Sequence, residues 1–171
     1  MMSIPLVSQQ QLSFVPKITF PKLLCGIALM SLTSPALSAE EGISNFHLNS
    51  EFEQQYSFSI AVKAGDFLHI GGVTAVDKEG NEVYADDARK QMELIYERME
   101  VILSSHDADF GDVVSETIYY NMDNETYLNT LDLRAAAYKD VDGPSTAGVR
   151  VADFSSDKTL LEITAVAYLG E

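Results

Sequence analysis

The sequence predicts an α/β (α+β) domain of order ββαβαββ, one mixed sheet with both helices on one face. Three observations predict it. Short runs rich in β-branched and aromatic residues recur between Phe58 and Leu169. Two segments between those runs have apolar residues at three- and four-residue steps instead. The helical segments are long enough to be crossovers, which place helices against a sheet and not beside it.

Two strand-like runs open the domain, Phe58–Val62 and Phe67–Ile70, and the Lys63-Ala64-Gly65-Asp66 turn joins them as a hairpin. Asp86 or Asp87 caps a helix of about twenty residues. Ala88, Met92, Ile95, Met99 and Ile102 form its buried stripe, and Arg89, Lys90, Glu93, Glu97 and Glu100 fall largely off it. Val113–Tyr120 reads as a third strand. Asn124 caps a second helix running to about Lys139, with Tyr127, Leu131, Ala135 and Tyr138 inward, and Asp142-Gly143-Pro144 ends it. Two strands close the domain, Thr146–Phe154 and Leu160–Leu169.

Alternation sorts those last strands into faces. Ala147, Val149 and Val151, with Leu161, Ile163, Ala165, Ala167 and Leu169, form the helix-facing set. Thr146, Gly148 and Arg150, with Leu160, Glu162, Thr164, Val166 and Tyr168, form the opposite face. With both helices on one side, that opposite face stays bare unless another subunit covers it, so an oligomer is expected. Arg150 and Glu162 on such a face are read either as a salt bridge at the interface or as a polar pocket at a subunit junction.

The chain has 171 residues, 46% apolar and 22% charged, which fits one domain and excludes a wholly disordered chain. Its formal net charge of −15 opposes both nucleic-acid phosphates and an anionic membrane surface, so neither is expected as a partner. All 26 acids lie from Glu40 onward, whereas residues 1–39 carry only Lys17 and Lys22 as charges. The apolar run Leu23–Met30 and the small residues ending at Ala39 complete the order of a secretory signal peptide, 1–39. A buried N-terminal strand or helix is the alternative. Export implies a periplasmic or secreted mature protein. Residues 40–55 read as a flexible polar lead-in, and 56–171 as the domain.

Cys25, the sole cysteine, falls in the leader, so the mature chain has no disulfide, thiolate metal site or cysteine nucleophile. His47, His69 and His106 are too far apart in sequence to suggest a metal site. Gly71-Gly72 lacks the spacing of a phosphate loop. No cofactor is expected.

Ala61-Val62-Lys63-Ala64-Gly65-Asp66, Ile70-Gly71-Gly72, Gly111-Asp112-Val113-Val114, Gly143-Pro144 and Leu161–Ala167, in this order and spacing, resemble the RidA (YjgF) superfamily, the reactive-intermediate deaminases. The resemblance covers roughly Phe58 to Gly170. It implies a chorismate-mutase-like fold, a homotrimer with clefts between subunits, and hydrolysis of enamines or imines. It also implies that Glu162 positions or activates water, and that Gly72 lines the cleft. Gly71 stands where the family has Ser, Phe58 where it has Tyr (Tyr56 lies two residues earlier), Gly148 where it has Cys, and Leu131 where it has Asn. Thr146 stands where the family's Arg binds the substrate carboxylate. A hydroxyl neither neutralises a carboxylate nor grips it through two bonds, so weak action on 2-imino acids is expected. Arg150 shares the alternation of Thr146, about 13 Å along the strand, and serves either a larger ligand or a pair with Glu162. Two functions stay open: a hydrolase of imines, enamines or related carbonyl compounds, and a non-catalytic trimer that binds small molecules or proteins.

Overall fold

The computed structural model describes residues 42–170. The leader, with Cys25, lies outside the described residues. Six strands form one sheet in the order β1-β2-β3-β6-β4-β5: β1 (Ile43–Phe46), β2 (Ala61–Ala64), β3 (Phe67–Val73), β4 (Val113–Tyr120), β5 (Ser145–Arg150) and β6 (Leu161–Tyr168). Every pairing is antiparallel except β4 with β5, so the sheet is mixed, as predicted.

The hairpin β2–β3 turns at Gly65, whose φ of +58° is a conformation that favours glycine. Helix α2 (Ala88–Ser104) begins where Asp87 accepts a hydrogen bond from the Lys90 amide at 3.1 Å. Its predicted stripe, Ala88, Met92, Ile95, Met99 and Ile102, is buried against β3 and β6. Leu161, Ile163, Ala165 and Ala167 of β6 are buried beneath it. Gln91 ties the connection before β6 to α2, its amide nitrogen donating to the Lys158 carbonyl and its oxygen accepting from the Leu160 amide.

Four differences from the sequence reading have physical causes. First, the segment read as a flexible lead-in carries β1 and α1 (Ser50–Gln55). β1 pairs with β2, and the buried Glu53 carboxylate accepts from the Leu48 and Asn49 amides and bonds His47 at 2.6 Å. Polar residues here satisfy one another, so no apolar pattern announces the order.

Second, the helix after β4 is broken into α3 (Asn124–Leu128) and α4 (Leu131–Ala137), and its cap is Asp123, not Asn124. The buried Thr130 hydroxyl donates back to the Tyr127 carbonyl at the break. The phase shifts there: Ala135 is exposed, while Leu133, Arg134 and Tyr138 turn inward.

Third, β5 ends at Arg150, shorter than the Thr146–Phe154 run, and it is an edge strand exposed along its whole length. Fourth, its faces are reversed. Thr146, Gly148 and Arg150 pair in register with Glu116, Ile118 and Tyr120, all buried on the helix side. Ala147 and Val149 pair with Thr117 and Tyr119, on the side opposite the helices. Both faces of an edge strand see solvent in one chain, so apolar alternation carries no burial signal there.

Candidate functional site

The expected site residues divide between two places. On the open side of the sheet, a register shift between Ile70 and Val73 bulges β3 at Gly71-Gly72. Gly71 belongs to the sheet: its amide donates to the Ile60 carbonyl at 2.7 Å. Gly72 faces Glu162. A Cβ built on Gly72 would stand 2.6 Å from the Glu162 Cδ and Oε1, so glycine is what lets that carboxylate lie against β3. Phe58 and Gly72 line one small cavity of about 70 Å³, with Thr74 and Arg98 on its wall. Phe58 packs edge-on against Phe52 at 5.9 Å, so an aromatic ring is kept at this position without a hydroxyl.

Glu162 is half-buried, and burial alone pushes its carboxyl above the ordinary carboxylate range. Among the described residues it has no hydrogen-bond or ion-pair partner. An unpaired carboxylate inside a strand, shielded from part of the solvent, is the kind of group that can take a proton from water or a substrate.

The second place is the helix side of β5. Thr146 Oγ1 donates to the Pro144 carbonyl at 2.9 Å and accepts from Arg134 Nη2 at 2.6 Å. Arg134, on α4, gives its Nε–H to the buried Glu116 at 2.7 Å. The Tyr96 and Tyr138 hydroxyls donate to the other oxygen of Glu116 at 2.9 and 3.1 Å. Burial first, then the Glu116 charge, pushes both phenols far above their usual range. Burial pulls the Arg134 guanidinium down, but the bond to Glu116 outweighs it, and the net shift is upward.

Gly148 makes room for Tyr127: a Cβ there would stand 2.8 Å from the Tyr127 hydroxyl. The Tyr127 ring stacks on Tyr120 at 4.0 Å with the planes 1° apart. Leu131 begins α4 and is partly buried. Arg150 lies on the helix-side alternation at the end of β5, so within one chain it does not face Glu162.

The sequence reading named Gly72 and Glu162 separately, and the structure sets them against each other. That reading missed Glu116 and Arg134. The signal was present: Glu116 shares the alternation of Ile118 and Tyr120, and Arg134 stands four residues before the inward Tyr138. A charge on a buried alternation, with an opposite charge on a buried helix face, marks a paired interior.

A family model described as endoribonuclease L-PSP matches residues 49–169. The chain belongs to the RidA (YjgF) superfamily. A RutC family protein of Pyrococcus horikoshii is 30% identical over 112 residues, covering 65% of this chain and 86% of that protein. A solved member of the YjgF/YER057c/UK114 family from Mycobacterium tuberculosis superposes with a TM-score of 0.63 at 28% identity, covering 74% of this chain and 99% of the other. RidA from an Antarctic Psychrobacter has a TM-score of 0.59 at 24% identity, covering 66% and 88%, and shows the fold. The superfamily fold is thus shared.

Proposed function

We propose that this protein hydrolyses imines or enamines to carbonyl compounds and ammonia, in clefts completed by neighbouring copies of the chain. The observation that carries the reading is Glu162: half-buried, raised in pKa by burial, unpaired among the described residues, and pressed against a glycine that makes room for it. In the step, Glu162 accepts a proton from water as the water oxygen bonds to the imine carbon. The proton passes to nitrogen, giving a carbinolamine; Glu162 then takes the hydroxyl proton and returns it to that nitrogen, so that the C–N bond breaks and ammonia leaves as the C=O bond forms.

The divided site supports assembly. Gly72 and Glu162 lie on the open side of the sheet, and Thr146 and Gly148 on the helix side of its edge. One chain cannot close these around a small molecule, but a second copy laid against the open side can. That side exposes Phe67, Val149 and Tyr168, and covering it is what the family's trimer would do. A stable monomer at micromolar concentration in light scattering overturns this part.

The catalytic part is tested by ammonia release from imines generated in situ by an amino-acid oxidase. Glu162→Gln is expected to lower the rate by about a hundredfold or more, the usual weight of a general base. A second reading, binding without turnover, is favoured by Thr146 at the position of the family's Arg. It predicts ligand binding with no ammonia release. Export completes the proposal: the protein recovered from its host should begin near Glu40, and a full-length cytoplasmic species contradicts this.

A further inference from the structure

Helix α2 carries a second stripe. Leu94, Glu97, Arg98 and Val101 follow one another at steps of three, one and three, so they share one face, and none of them is fully buried. The loop from Val76 to Tyr84 and the Leu48-Asn49 turn close over that face and leave a cavity of about 600 Å³. The loop is fixed by its own bonds. Val76 bridges Glu82, the Asp77 amide donates to the Asn81 carbonyl at 2.9 Å, and Arg98 Nη1 donates to the Val76 carbonyl at 3.1 Å. Tyr84 lines the cavity with a φ of +60°, a conformation that is strained for a tyrosine, and it stays half exposed.

Of the charged residues on this wall, Asp77 is spent on its own loop, where its carboxylate accepts from the Glu79 and Asn81 amides. Lys78, Glu97 and Arg98 have no ion-pair partner among the described residues. Arg98 is half-buried, and its Nε is enclosed without an acceptor. Burial pulls its guanidinium below the ordinary value, and the Glu53 charge offsets part of that. Glu53 is itself taken by His47 and two backbone amides. A part-buried guanidinium with one carbonyl bond and an orphaned N–H lacks an acceptor, and a ligand is one way to supply it. Glu97, next to it in the chain, is a free anion on the same wall. A net charge of −15 repels a simple anion at long range, whereas a zwitterion carries its own compensation.

We infer that this cavity binds a free α-amino acid with an aromatic side chain: Arg98 takes the carboxylate, Glu97 takes the ammonium, and Val83, Leu94, Val101 and Tyr84 enclose the ring. A hollow of several hundred Å³ with an apolar wall and a few convergent polar groups is the usual form of a small-molecule site. The hollow beside Gly72, at about 70 Å³, is far smaller. Arg98 lines both, but Glu97 and Val101 line only the larger one, and Glu162 does not line it. The site is therefore separate from the proposed hydrolysis and stands whether or not the chain turns over imines.

The test compares L-phenylalanine with N-acetyl-L-phenylalanine, which lacks the ammonium, and L-phenylalaninamide, which lacks the carboxylate. Binding is read by calorimetry and by amide shifts at about 0.15 M salt, which screens the long-range field of the chain. The wild type is expected to bind the free amino acid about tenfold or more tightly than either analogue, with shifts centred on Val76–Lys78 and Glu97–Val101. Glu97→Gln changes an exposed side chain, so the fold should hold, and the preference over the N-acetyl form should disappear. Arg98→Gln should remove the preference over the amide. Equal or absent binding of all three by the wild type overturns the inference. So does Glu97→Gln binding phenylalanine like wild type, or a wild-type response centred on Gly72 and Glu162. If Arg98→Gln does not fold, the wild-type preferences and Glu97→Gln decide between these outcomes.

Discussion

Glu116 and Glu162 sit on adjacent strands, β4 and β6, each inside its strand, yet on opposite faces of the sheet. Glu116 faces the helices, is sealed from solvent, and is met by two phenols and a guanidinium. Glu162 faces the open side, is half-buried, and is met by none of the described residues. The same side chain is a fixed structural counterion in one place and, in the function proposed above, a reactive group in the other. Burial alone does not separate them; the donors do. A buried charge with its donors in place can orient another residue, and a part-buried charge without donors keeps its lone pairs for chemistry.

The largest effect comes from breaking the paired glutamate. Glu116→Leu leaves the Arg134 charge and two phenols without their acceptor, and is expected to cost about 3–5 kcal/mol in urea unfolding. Adding Arg134→Met in the same chain should recover much of that loss, because no unpaired charge then remains. If the double variant is no better than the single, the pair is not the unit described here.

Gly72→Ala attacks the unpaired one. The added Cβ meets Glu162 atoms at 2.6 Å, and the carboxylate must move. Since those atoms end a flexible side chain, stability should change little while turnover falls by about tenfold or more, because misplaced catalytic groups are costly. Equal turnover would mean that the Glu162 position does not matter.

A smaller effect tests the charge itself. The Glu162 carboxyl has a folded pKa raised by burial, so the folded chain binds its proton more readily than the unfolded one. Its ionised form is therefore a penalty above the folded pKa, relieved as pH falls towards the unfolded value of about 4.3. Glu162→Gln should raise the thermal midpoint at pH 7–8, and the gain should shrink on acidification. A gain that is constant with pH contradicts the cause given. The smallest expected effect is Tyr127→Phe, within about 0.5 kcal/mol of wild type, because that hydroxyl satisfies no described partner.

The parts of the fold legible in the sequence are those where burial is one-sided. The α2 stripe and the alternation of β6 bury what their spacing said they would. The β5 alternation misled because its apolar residues, Ala147 and Val149, lie on the side that no element of this chain covers. The break at Thr130 rests on a side chain bonding back to its own helix, which leaves no periodic trace. In the site, Gly72 and Glu162 were each named from the motif, but their closeness was not, because it depends on the bulge in β3. Arg134 was not read at all, because its role depends on a partner eighteen residues away on another element.

The position of β6 has a consequence for how the chain reaches this state. It is the last strand in sequence, yet it lies between β3 and β4, in the middle of the sheet. The hairpin formed by β2 and β3 and the parallel pair formed by β4 and β5 have no hydrogen bonds to each other until Leu161–Tyr168 is inserted. A chain emerging from the ribosome therefore cannot close its sheet before that segment has been made, and the closing contacts span long sequence separations, which slows folding. Such a chain stays open for most of its synthesis, the state in which a polypeptide can be threaded. Removing β6 should leave no smaller folded remnant.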